Sequence, residues 1–451
     1  MDTLPSFASQ NPSTELIIPS SPSYNTHRTI FVSPSVRPSA ILRPSSILDV
    51  SKCVSFLTSH NIPFTIRVGG HDMHGRSMNN DSVTLDLRRL NNIIIEKESM
   101  TAKVGGGILA SDLIEELQKE DLITPCGTVD AVGYVGWAMY GGYGLYSSLF
   151  GLGVDQIVGA KIVDARGEVV EVKAGDELLK GIRGAGGAFG VVVEATVRVY
   201  EMSQILAGAI MFQSSDLPTA IHEYNKGYRA LVDEGLPPCL GLMQAVVPLP
   251  SPTLAVFFSW NSSDHIEGQE WLDKISSLAP VMVNTVGPIT PLAFMAEVSK
   301  FVPKSTQGRM YTISLREITD EVAAVIADFT ARIPSDPHLL FDIHQLRKES
   351  PSAHPNADSV FIAREPHYVV EICTIVANDE NLEDALTWGR EFQDALKKTE
   401  AANILPASYL SFLPREEIEP EKIFGSNLQF LKELKWKVDG GNVFKAAISY
   451  L

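Results

Sequence analysis

The stretch "IPFTIRVGGHDMHGRS", residues 62–77, is the segment of this chain that says most about its fold. Its first half is apolar and β-branched, which predicts a short buried strand. The glycine pair Gly69–Gly70 lets the backbone turn at the end of that strand and approach a ligand closely. His71 and His74 follow directly. Two interpretations are open at this point: a strand-to-loop turn that carries two solvated histidines, or a loop that binds a ligand.

Length and charge restrict the class of protein. At 451 residues the chain is too long for a single core, so two or three domains are expected. Its 45% hydrophobic and 20% charged residues are typical of an ordinary globular protein. The net charge of −17 repels nucleic acid and anionic membranes, and we therefore exclude both as main partners. No apolar run has the length of a membrane span, and the N-terminus lacks a basic-then-apolar signal layout, which predicts a cytoplasmic protein.

The cysteines carry no recognisable motif. There are four of them, scattered along the chain without the paired spacing of a metal site, at Cys53, Cys126, Cys239 and Cys373. Free thiols in a reducing compartment are therefore predicted, and no metal centre is expected.

The segments around the opening stretch alternate between strands and helices. Residues 1–37 are rich in Ser and Pro, have few periodic apolar positions, and are predicted to be loosely structured. Residues 38–68 follow the pattern strand, helix, strand, with Ser45 or Ser46 as the expected helix cap. Two strands around a turn are predicted in residues 82–96.

A second glycine run lies further along. In "TAKVGGGILASDLIEELQKEDL", residues 101–122, glycines follow a strand and precede an amphipathic helix, which Ser111 or Asp112 is expected to cap. Residues 156–172 alternate around an Ala-Arg-Gly turn and predict a β-hairpin.

Glycine is densest in residues 125–157, which combine many glycines with large apolar and aromatic side chains and little charge. Linkers are polar, so this composition predicts a buried loop that packs its backbone onto a flat ligand. A further loop, "IRGAGGAFG" at residues 182–190, leads into a strand. A Rossmann fold needs a helix at that point and is therefore excluded.

The sequence changes character near residue 204. Long strand-like runs then alternate with amphipathic helical ones, which predicts a mostly antiparallel sheet with helices on one side. No repeat of fixed period is visible, and a solenoid or propeller is not expected.

The four glycine-containing segments occur in a characteristic order. With them the chain resembles the FAD-linked oxidases of the vanillyl-alcohol-oxidase superfamily, berberine-bridge-enzyme-like branch, most strongly over residues 38–200. The resemblance implies an α+β fold with a PCMH-type FAD-binding domain and a substrate domain whose antiparallel sheet is backed by helices. The expected boundaries are 1–203 for the FAD-binding domain, 204–414 for the substrate domain, and 415–451 for a segment that returns to the FAD-binding domain.

The resemblance also implies the cofactor and its contacts. In the family, the histidine of the "GGH" loop, here His71, is joined covalently to the flavin 8α-methyl group. Loop backbone and small side chains surround the rest of FAD. The other implied contacts are Arg67, Gly69, Gly70, Ser77, Gly127, Thr128, Gly133, Gly136, Gly141, Gly142, Val192 and Asn442.

Several positions depart from the family. Many relatives make a second flavin link from a cysteine where this chain has Val129. Cys126 stands three residues earlier. The segment matches the family's sequence without a gap, so Cys126 is not shifted to the position of the second link. A single link through His71 is therefore predicted. Ala188 replaces the usual asparagine, which removes a polar neighbour of the cofactor. His74 has no counterpart and is expected to be a polar loop residue.

The chemistry requires a proton acceptor opposite the flavin. By resemblance the candidate base is Tyr409, since a tyrosine at that position serves as base in some relatives. Glu371 is the alternative, because a carboxylate in an otherwise apolar strand needs a reason. For both side chains the alternative is a purely structural role. Four residues are candidate substrate contacts: Tyr143, Tyr146, Tyr311 and His344.

The function implied is an FAD-dependent oxidase of a small secondary metabolite. Hydride would pass to flavin N5, and O2 would be reduced to H2O2. The alternative is a flavin-containing cyclase that closes a ring without net oxidation. A monomer or a homodimer is compatible with either, and the expected partners are the small-molecule substrate and O2.

Overall fold

In the computed structural model, residues 62–77 contribute a strand to the first β-sheet. The structure describes residues 3–32, 35–248, 251–302, 306–448 and 451. A four-stranded sheet has the order β1-β2-β4-β3, in which β2 and β3 run parallel to β4 and β1 is antiparallel to β2. Its strands are β1 (Glu15–Ile17), β2 (Ala40–Arg43), β3 (Phe64–Arg67) and β4 (Val83–Asp86). The helices of this part are α1 (Leu4–Gln10), α2 (Tyr24–His27) and α3 (Ile47–Ser59).

Helix α3 begins where the sequence predicts. The N-terminal segment, in contrast, differs from its prediction. The Ser46 side chain accepts a hydrogen bond from the Asp49 amide and caps α3. The expectation of a loosely structured segment is wrong for residues 3–32, because α1, β1 and α2 lie within them, while residues 1, 2, 33 and 34 lie outside the described residues. Leu4 packs into the core beside α3, and the Tyr24 hydroxyl donates to the Pro38 carbonyl at 2.5 Å. A few well-placed apolar side chains are enough to order this segment.

A second sheet follows the first. It is five-stranded and antiparallel, with the order β5-β6-β10-β8-β9, while β7 and β11 form a separate pair. The strands are β5 (Ile93–Glu96), β6 (Thr101–Gly105), β7 (Leu122–Ile123), β8 (Ile157–Val163), β9 (Val169–Val172), β10 (Val191–Arg198) and β11 (Tyr200–Glu201). The helices are α4 (Ala110–Gln118), α5 (Tyr134–Met139), α6 (Ser147–Phe150), α7 (Gly153–Gln156) and α8 (Glu177–Ala185). The predicted hairpin is confirmed as β8–β9.

The start of α4 corrects one expectation. Ser111 and Asp112 are not its caps: they lie inside the first turn, and Leu109 is the N-cap residue without a side-chain hydrogen bond. The Ala110 amide donates to the Val132 carbonyl at 2.9 Å, and the Ser111 amide to that of Asp130 at 3.1 Å. Carbonyls of the glycine-rich loop thus satisfy the helix start, and no capping side chain is needed.

The third sheet confirms the predicted antiparallel sheet backed by helices. It is eight-stranded and antiparallel, with the order β15-β12-β14-β13-β18-β19-β17 and β16 paired to β12. Its strands are β12 (Ile205–Phe212), β13 (Leu240–Pro248), β14 (Pro252–Trp260), β15 (Val281–Asn284), β16 (Gly287–Ile289), β17 (Met310–Leu315), β18 (Leu340–Leu346) and β19 (His367–Cys373). The helices are α9 (Leu217–Glu234), α10 (His265–Ser276), α11 (Pro291–Ser299), α12 (Asp320–Ala331) and α13 (Leu382–Leu396).

One face of this sheet is covered by helices. Apolar residues of α9, α10, α12 and α13 pack with alternate residues of the strands in the largest core cluster, which includes Ile343, Val370 and Ile372. Because side chains alternate along a strand, the residues between them face away from these helices, toward the glycine loops. Within the described ranges, no helix combines the length and apolar character that crossing a membrane requires.

The C-terminal helices are α14 (Pro420–Phe424) and α15 (Leu428–Asp439). Leu431 and Leu434 of α15 pack with Ala188 and Phe189, next to α8. The Lys435 ammonium donates to the Ala188 carbonyl and to Asp439, both at 2.7 Å. Ala188, expected beside the cofactor, is instead fully buried under α15.

Candidate active site

A cavity of about 360 Å³ lies between the glycine loops and the face of the third sheet that is turned away from α9, α10, α12 and α13. The loop after β3 forms one wall, and β18, β19 and the segment around Tyr409 form the opposite wall. Nine of the predicted cofactor residues line it: Gly69, Gly70, His71, Ser77, Gly127, Thr128, Gly133, Gly136 and Val192. The structure therefore brings most of the glycine-loop positions to one chamber.

His71 lies in this wall as a neutral imidazole. Its ring stacks on that of Phe31, with the centroids 4.6 Å apart and the planes inclined by 15°. Burial lowers the pKa of His71 to about 4, so the ring nitrogen keeps its lone pair at neutral pH. Val129 also lines the cavity. Cys126 packs in the core behind the loop, where burial raises the pKa of its thiol to about 12.

The lining residues fit FAD. Ser77 presents a buried hydroxyl that has no hydrogen-bond partner in the described part of the chain. At Gly136 a Cβ would have no atom within 4 Å and would project into open space, so the glycine leaves room for a flat ring system. A Cβ at Gly69 would lie 2.3 Å from the Gly133 nitrogen, so only glycine lets these two loops meet. Small residues and an orphaned hydroxyl suit a large planar cofactor with a polar tail.

Arg67 does not reach the cavity. Its guanidinium donates to the backbone carbonyls of His27 and Thr29, the latter at 2.8 Å, and to Asp86 at 3.2 Å. The expectation of a cofactor contact is corrected: Arg67 ties the N-terminal segment to β3 and β4.

Three further predicted contacts also lie outside the cavity lining. The Gly142 amide donates to the Tyr409 hydroxyl at 3.3 Å, and a Cβ at Gly141 would meet the Phe361 ring at 2.8 Å. Both glycines thus serve the packing of the loop on its neighbours. Asn442 is exposed, with φ of 50°, whereas Phe444 of the same segment lines the cavity.

Three ionisable side chains lie close together on the cavity wall formed by β18 and β19. Asp342 and His344 are alternate residues of β18, and Glu371 lies opposite Asp342 on β19. His344 Nε2 is 3.1 Å from Glu371 Oε1 and 3.9 Å from Asp342 Oδ1. Sequence analysis identified His344 and Glu371 but missed Asp342. The polar–apolar–polar alternation of "DIH", with Ile343 in the helix-side core, was the available signal.

The three groups shift one another's protonation. Burial opposes a charge on His344, but Glu371 and then Asp342 outweigh it and raise the pKa of His344 to about 9. Burial and the neighbouring Glu371 raise the pKa of Asp342 well above its ordinary value. At neutral pH the cluster therefore contains a cationic imidazole and a carboxyl group that resists ionisation.

Tyr409 and Tyr143 line the cavity beside this cluster. Their rings meet edge to face with centroids 5.0 Å apart. The Tyr143 hydroxyl donates to His367 Nε2 at 2.8 Å, while His367 Nδ1 donates to the Glu365 carbonyl at 2.7 Å. Burial raises the pKa of Tyr409 to about 12. A phenol in this environment holds its proton at neutral pH.

Two predicted substrate contacts face elsewhere. The Tyr311 side chain lies in the helix-side core, where its hydroxyl donates to the Leu386 carbonyl at 3.1 Å. Tyr146 is buried in the core of the second sheet. The expectation that either contacts substrate is corrected.

Arg76 joins the two walls, and sequence analysis missed it. Its guanidinium donates to the carbonyls of Leu413 at 2.6 Å and Leu410 at 3.1 Å, and lies 3.5 Å from Asp72. His74, expected to be a polar loop residue, adds a bond from Nε2 to the Phe412 carbonyl at 3.1 Å. The "GGH" loop is thereby fixed to the segment that carries Tyr409.

Comparisons with known proteins agree with this site. The family described as "FAD binding domain" matches residues 38–173. The FAD-linked oxidoreductase aurO of Gibberella zeae is 32% identical over 438 residues, which cover 96% of this chain and 85% of that protein. The (R)-6-hydroxynicotine oxidase of Paenarthrobacter nicotinovorans is 38% identical over 182 residues, 40% of each chain.

Solved structures share the fold over nearly the whole chain. The BBE-like 1 protein of Physcomitrella patens superposes with a TM-score of 0.85 at 20% identity, covering 98% of this chain and 97% of that one. Glucooligosaccharide oxidase from Acremonium strictum gives a TM-score of 0.80 at 19% identity, covering 97% and 96%. With glycine loops that fit FAD, a matched FAD-binding domain and an FAD-linked relative aligned along almost its entire length, the chain belongs to the FAD-linked oxidoreductases.

Proposed function

We propose that the protein oxidises a small, largely apolar metabolite by two electrons. The observation that carries the proposal is the cavity itself, which has the FAD-fitting loops on one wall and a cluster of ionisable side chains on the other. FAD, when bound, supplies the hydride-accepting ring that O2 reoxidises with release of H2O2. The chain's own residues then bind the substrate, exclude water and accept a proton. A substrate from secondary metabolism is the class that the family resemblance favours.

The attachment of FAD is proposed to be a single covalent bond to His71. The neutral imidazole is the nucleophilic form, and its stacking on Phe31 fixes the ring plane. Val129 has no nucleophilic atom, and the thiol of Cys126 is buried away from the cavity. The solved glucooligosaccharide oxidase is described as carrying both a cysteinyl and a histidyl bond to FAD. Only the histidyl bond has a matching side chain here.

Glu371 is the proposed proton acceptor, with Tyr409 beside it. Glu371 is 6% exposed, lines the cavity, and its Oε1 accepts no well-aligned hydrogen bond in the described part of the chain. The Tyr409 phenol holds its own proton, because burial raises its pKa to about 12. A carboxylate beside the substrate is the better base under those conditions, and Tyr409 orients the bound molecule.

The division into domains is part of the same proposal. Residues 1–203 and 415–451 are proposed to form the FAD-binding domain, and 204–414 the substrate domain. Support comes from α15, which packs next to α8, and from Phe444, which lines the cavity from the C-terminal segment. The catalytic wall on β18 and β19 belongs to the proposed substrate domain.

A second candidate function is a ring closure without net oxidation. The observation that favours it is Asp342, because a carboxyl group whose pKa is raised well above its ordinary value can donate a proton inside the cavity. In that reaction the flavin would serve as a wall of the pocket.

Anaerobic mixing separates the two functions. Purified protein is first screened aerobically for substrate-dependent H2O2 across small aromatic amines, phenols and alcohols. Any compound that is turned over is then mixed with the protein without O2, and the flavin absorbance is followed. Bleaching of the visible band supports oxidation, whereas product formation without bleaching refutes it in favour of the cyclase.

A further inference from the structure

The carboxylate–histidine cluster, defined as Asp342, His344 and Glu371, has more acceptors than its own donors satisfy. Asp342 Oδ1 and Glu371 Oε1 are both buried, and neither accepts a well-aligned hydrogen bond from the described residues. His344 Nε2 lies 3.1 Å from Glu371 Oε1, a contact that is poorly aligned for a hydrogen bond but still raises the pKa of His344. Buried polar atoms without partners are costly in a native protein and mark a place where a ligand completes the bonding.

The acidic and basic side chains that line the cavity also indicate a ligand at this cluster. Among the described residues that line it, the carboxyl, guanidinium and imidazole groups are few: Asp72, Arg76, Asp342, His344 and Glu371, with His71 neutral. Arg76 and Asp72 lie 3.5 Å apart and compensate each other. Two carboxyl groups then face one imidazole. A single cation brought by a ligand would face the second carboxyl group and balance the cluster.

The rest of the sheet wall is apolar. Other side chains that line the cavity include Met243, Val247, Phe257, Phe301 and Met310. These surfaces suit a hydrocarbon or aromatic body and offer it no further charge. The complementary ligand is therefore a hydrophobic molecule with one cationic, hydrogen-bond-donating group.

We propose that the carboxylate–histidine cluster binds the protonated nitrogen of an amine substrate. The ammonium N–H groups donate to Asp342 Oδ1 and Glu371 Oε1, and the apolar body lies against the sheet wall. Glu371 then takes one ammonium proton, which moves from the substrate nitrogen to the carboxylate oxygen and leaves the free amine with its lone pair. This inference rests on the proposed function, since it names the substrate class of the same site.

A divalent metal ion is the competing occupant. The three side chains offer one ligand atom each, all within 4.8 Å of one another. Zinc requires four ligands, and calcium or magnesium requires six or more oxygens. The neighbouring apolar side chains supply none of these, whereas two carboxylate oxygens are a sufficient acceptor set for an ammonium group.

The test compares a cation with its neutral isostere. Holoprotein is titrated anaerobically with 4-phenylpiperidine and with 4-phenyltetrahydropyran, which replaces the N–H by oxygen at nearly the same shape. Affinity is taken from the heat of binding and from the perturbation of the flavin spectrum. Hydrogen bonds to charged groups contribute about 1.5–3 kcal/mol, so we expect the amine to bind about tenfold tighter or more. In Asp342→Asn and Glu371→Gln the preference should fall to about twofold or less, and in the exposed control Glu383→Gln it should be unchanged.

Two outcomes would overturn the inference. One is equal affinity for both compounds in the unmodified protein, or a preference that survives both cluster substitutions. The other is a metal site: prior dialysis against EDTA abolishes the preference, and added Zn²⁺ or Mg²⁺ restores it. Bleaching is recorded in the same titration. Amine preference without bleaching supports the binding assignment while counting against the oxidase, so the two failures are distinguishable.

Discussion

Arg76 and Leu413 connect the two walls of the cavity, with guanidinium Nη2 donating to the Leu413 carbonyl oxygen at 2.6 Å. The same nitrogen donates to Leu410, and both carbonyls belong to the short segment that follows Tyr409. A guanidinium holds several acceptors at fixed angles, which an ammonium cannot do. The geometry of the cofactor loop is therefore coupled to the position of Tyr409.

Replacing Arg76 by Lys should keep the positive charge and remove the planar guanidinium that donates to several carbonyls. Losing one or two such hydrogen bonds costs about 1.5–3 kcal/mol each, and we expect the unfolding midpoint to fall by about 2–5 °C. Scanning calorimetry on the holoprotein measures this, with the exposed Arg166→Lys as the matched control. An Arg76→Lys midpoint equal to that of the control would show that the connection contributes nothing.

Val129→Cys should create a second bond to the cofactor. Val129 lines the cavity, and the smaller thiol side chain fits where the valine is. In a protein that also carries His71→Ala, the new cysteine should retain FAD after denaturation, whereas His71→Ala alone should release it. Cys126→Ser should change nothing, because that thiol is buried elsewhere. Release of FAD from the double variant would place residue 129 away from the flavin ring.

Glu371→Gln and Tyr409→Phe should slow the chemical step to different extents. A positioned general base contributes about 10²–10⁴-fold, so Glu371→Gln should reduce anaerobic flavin bleaching by that factor. Tyr409→Phe keeps the ring and removes only an orienting hydroxyl, for which about tenfold or less is expected. Stopped-flow absorbance with the substrate found in the H2O2 screen gives both rates. The reverse order of effects would assign the base to Tyr409.

The histidines of the "GGH" loop predict acid sensitivity. Burial lowers the pKa of His74 to about 4, while the unfolded chain takes up the proton near 6.5. The unfolded state therefore binds more protons between pH 6.5 and 4, and stability falls as the pH falls through that window. His74→Gln removes this contribution, and its unfolding midpoint should decline less between pH 7 and pH 4.5. Exposed His60→Gln is the control, and a decline identical in all three proteins would contradict the assignment.

The cavity wall formed by the glycine loops was largely predictable from the sequence. The opposite wall, formed by strands of the third sheet, was not. Glycines are required wherever two loops meet a flat ligand, so their order along the chain identifies the wall. On β17 the run "MYTISL" places Tyr311 on the same face as Ile313 and Leu315, but the sequence does not say which face of the sheet the helices cover. A shift of one residue reverses every side chain, and the structure turns Tyr311 toward the helices.

Long-range backbone contacts explain the other errors. Arg67 was assigned to the cofactor because it adjoins the glycine pair, but its acceptors are carbonyls about 40 positions earlier in the chain. Arg76 reaches carbonyls more than 330 positions away. Neither relationship leaves a local sequence pattern, because any residue supplies a backbone carbonyl.

The mass of the denatured protein tests the covalent attachment of FAD to His71 most directly. The holoprotein is unfolded in acid, separated from free small molecules, and measured intact and after proteolysis. We predict the mass of the chain plus one FAD, with the added mass on the peptide that contains His71, and loss of that addition in His71→Ala. An unmodified chain with FAD free in the supernatant, or FAD on a peptide without His71, would contradict it.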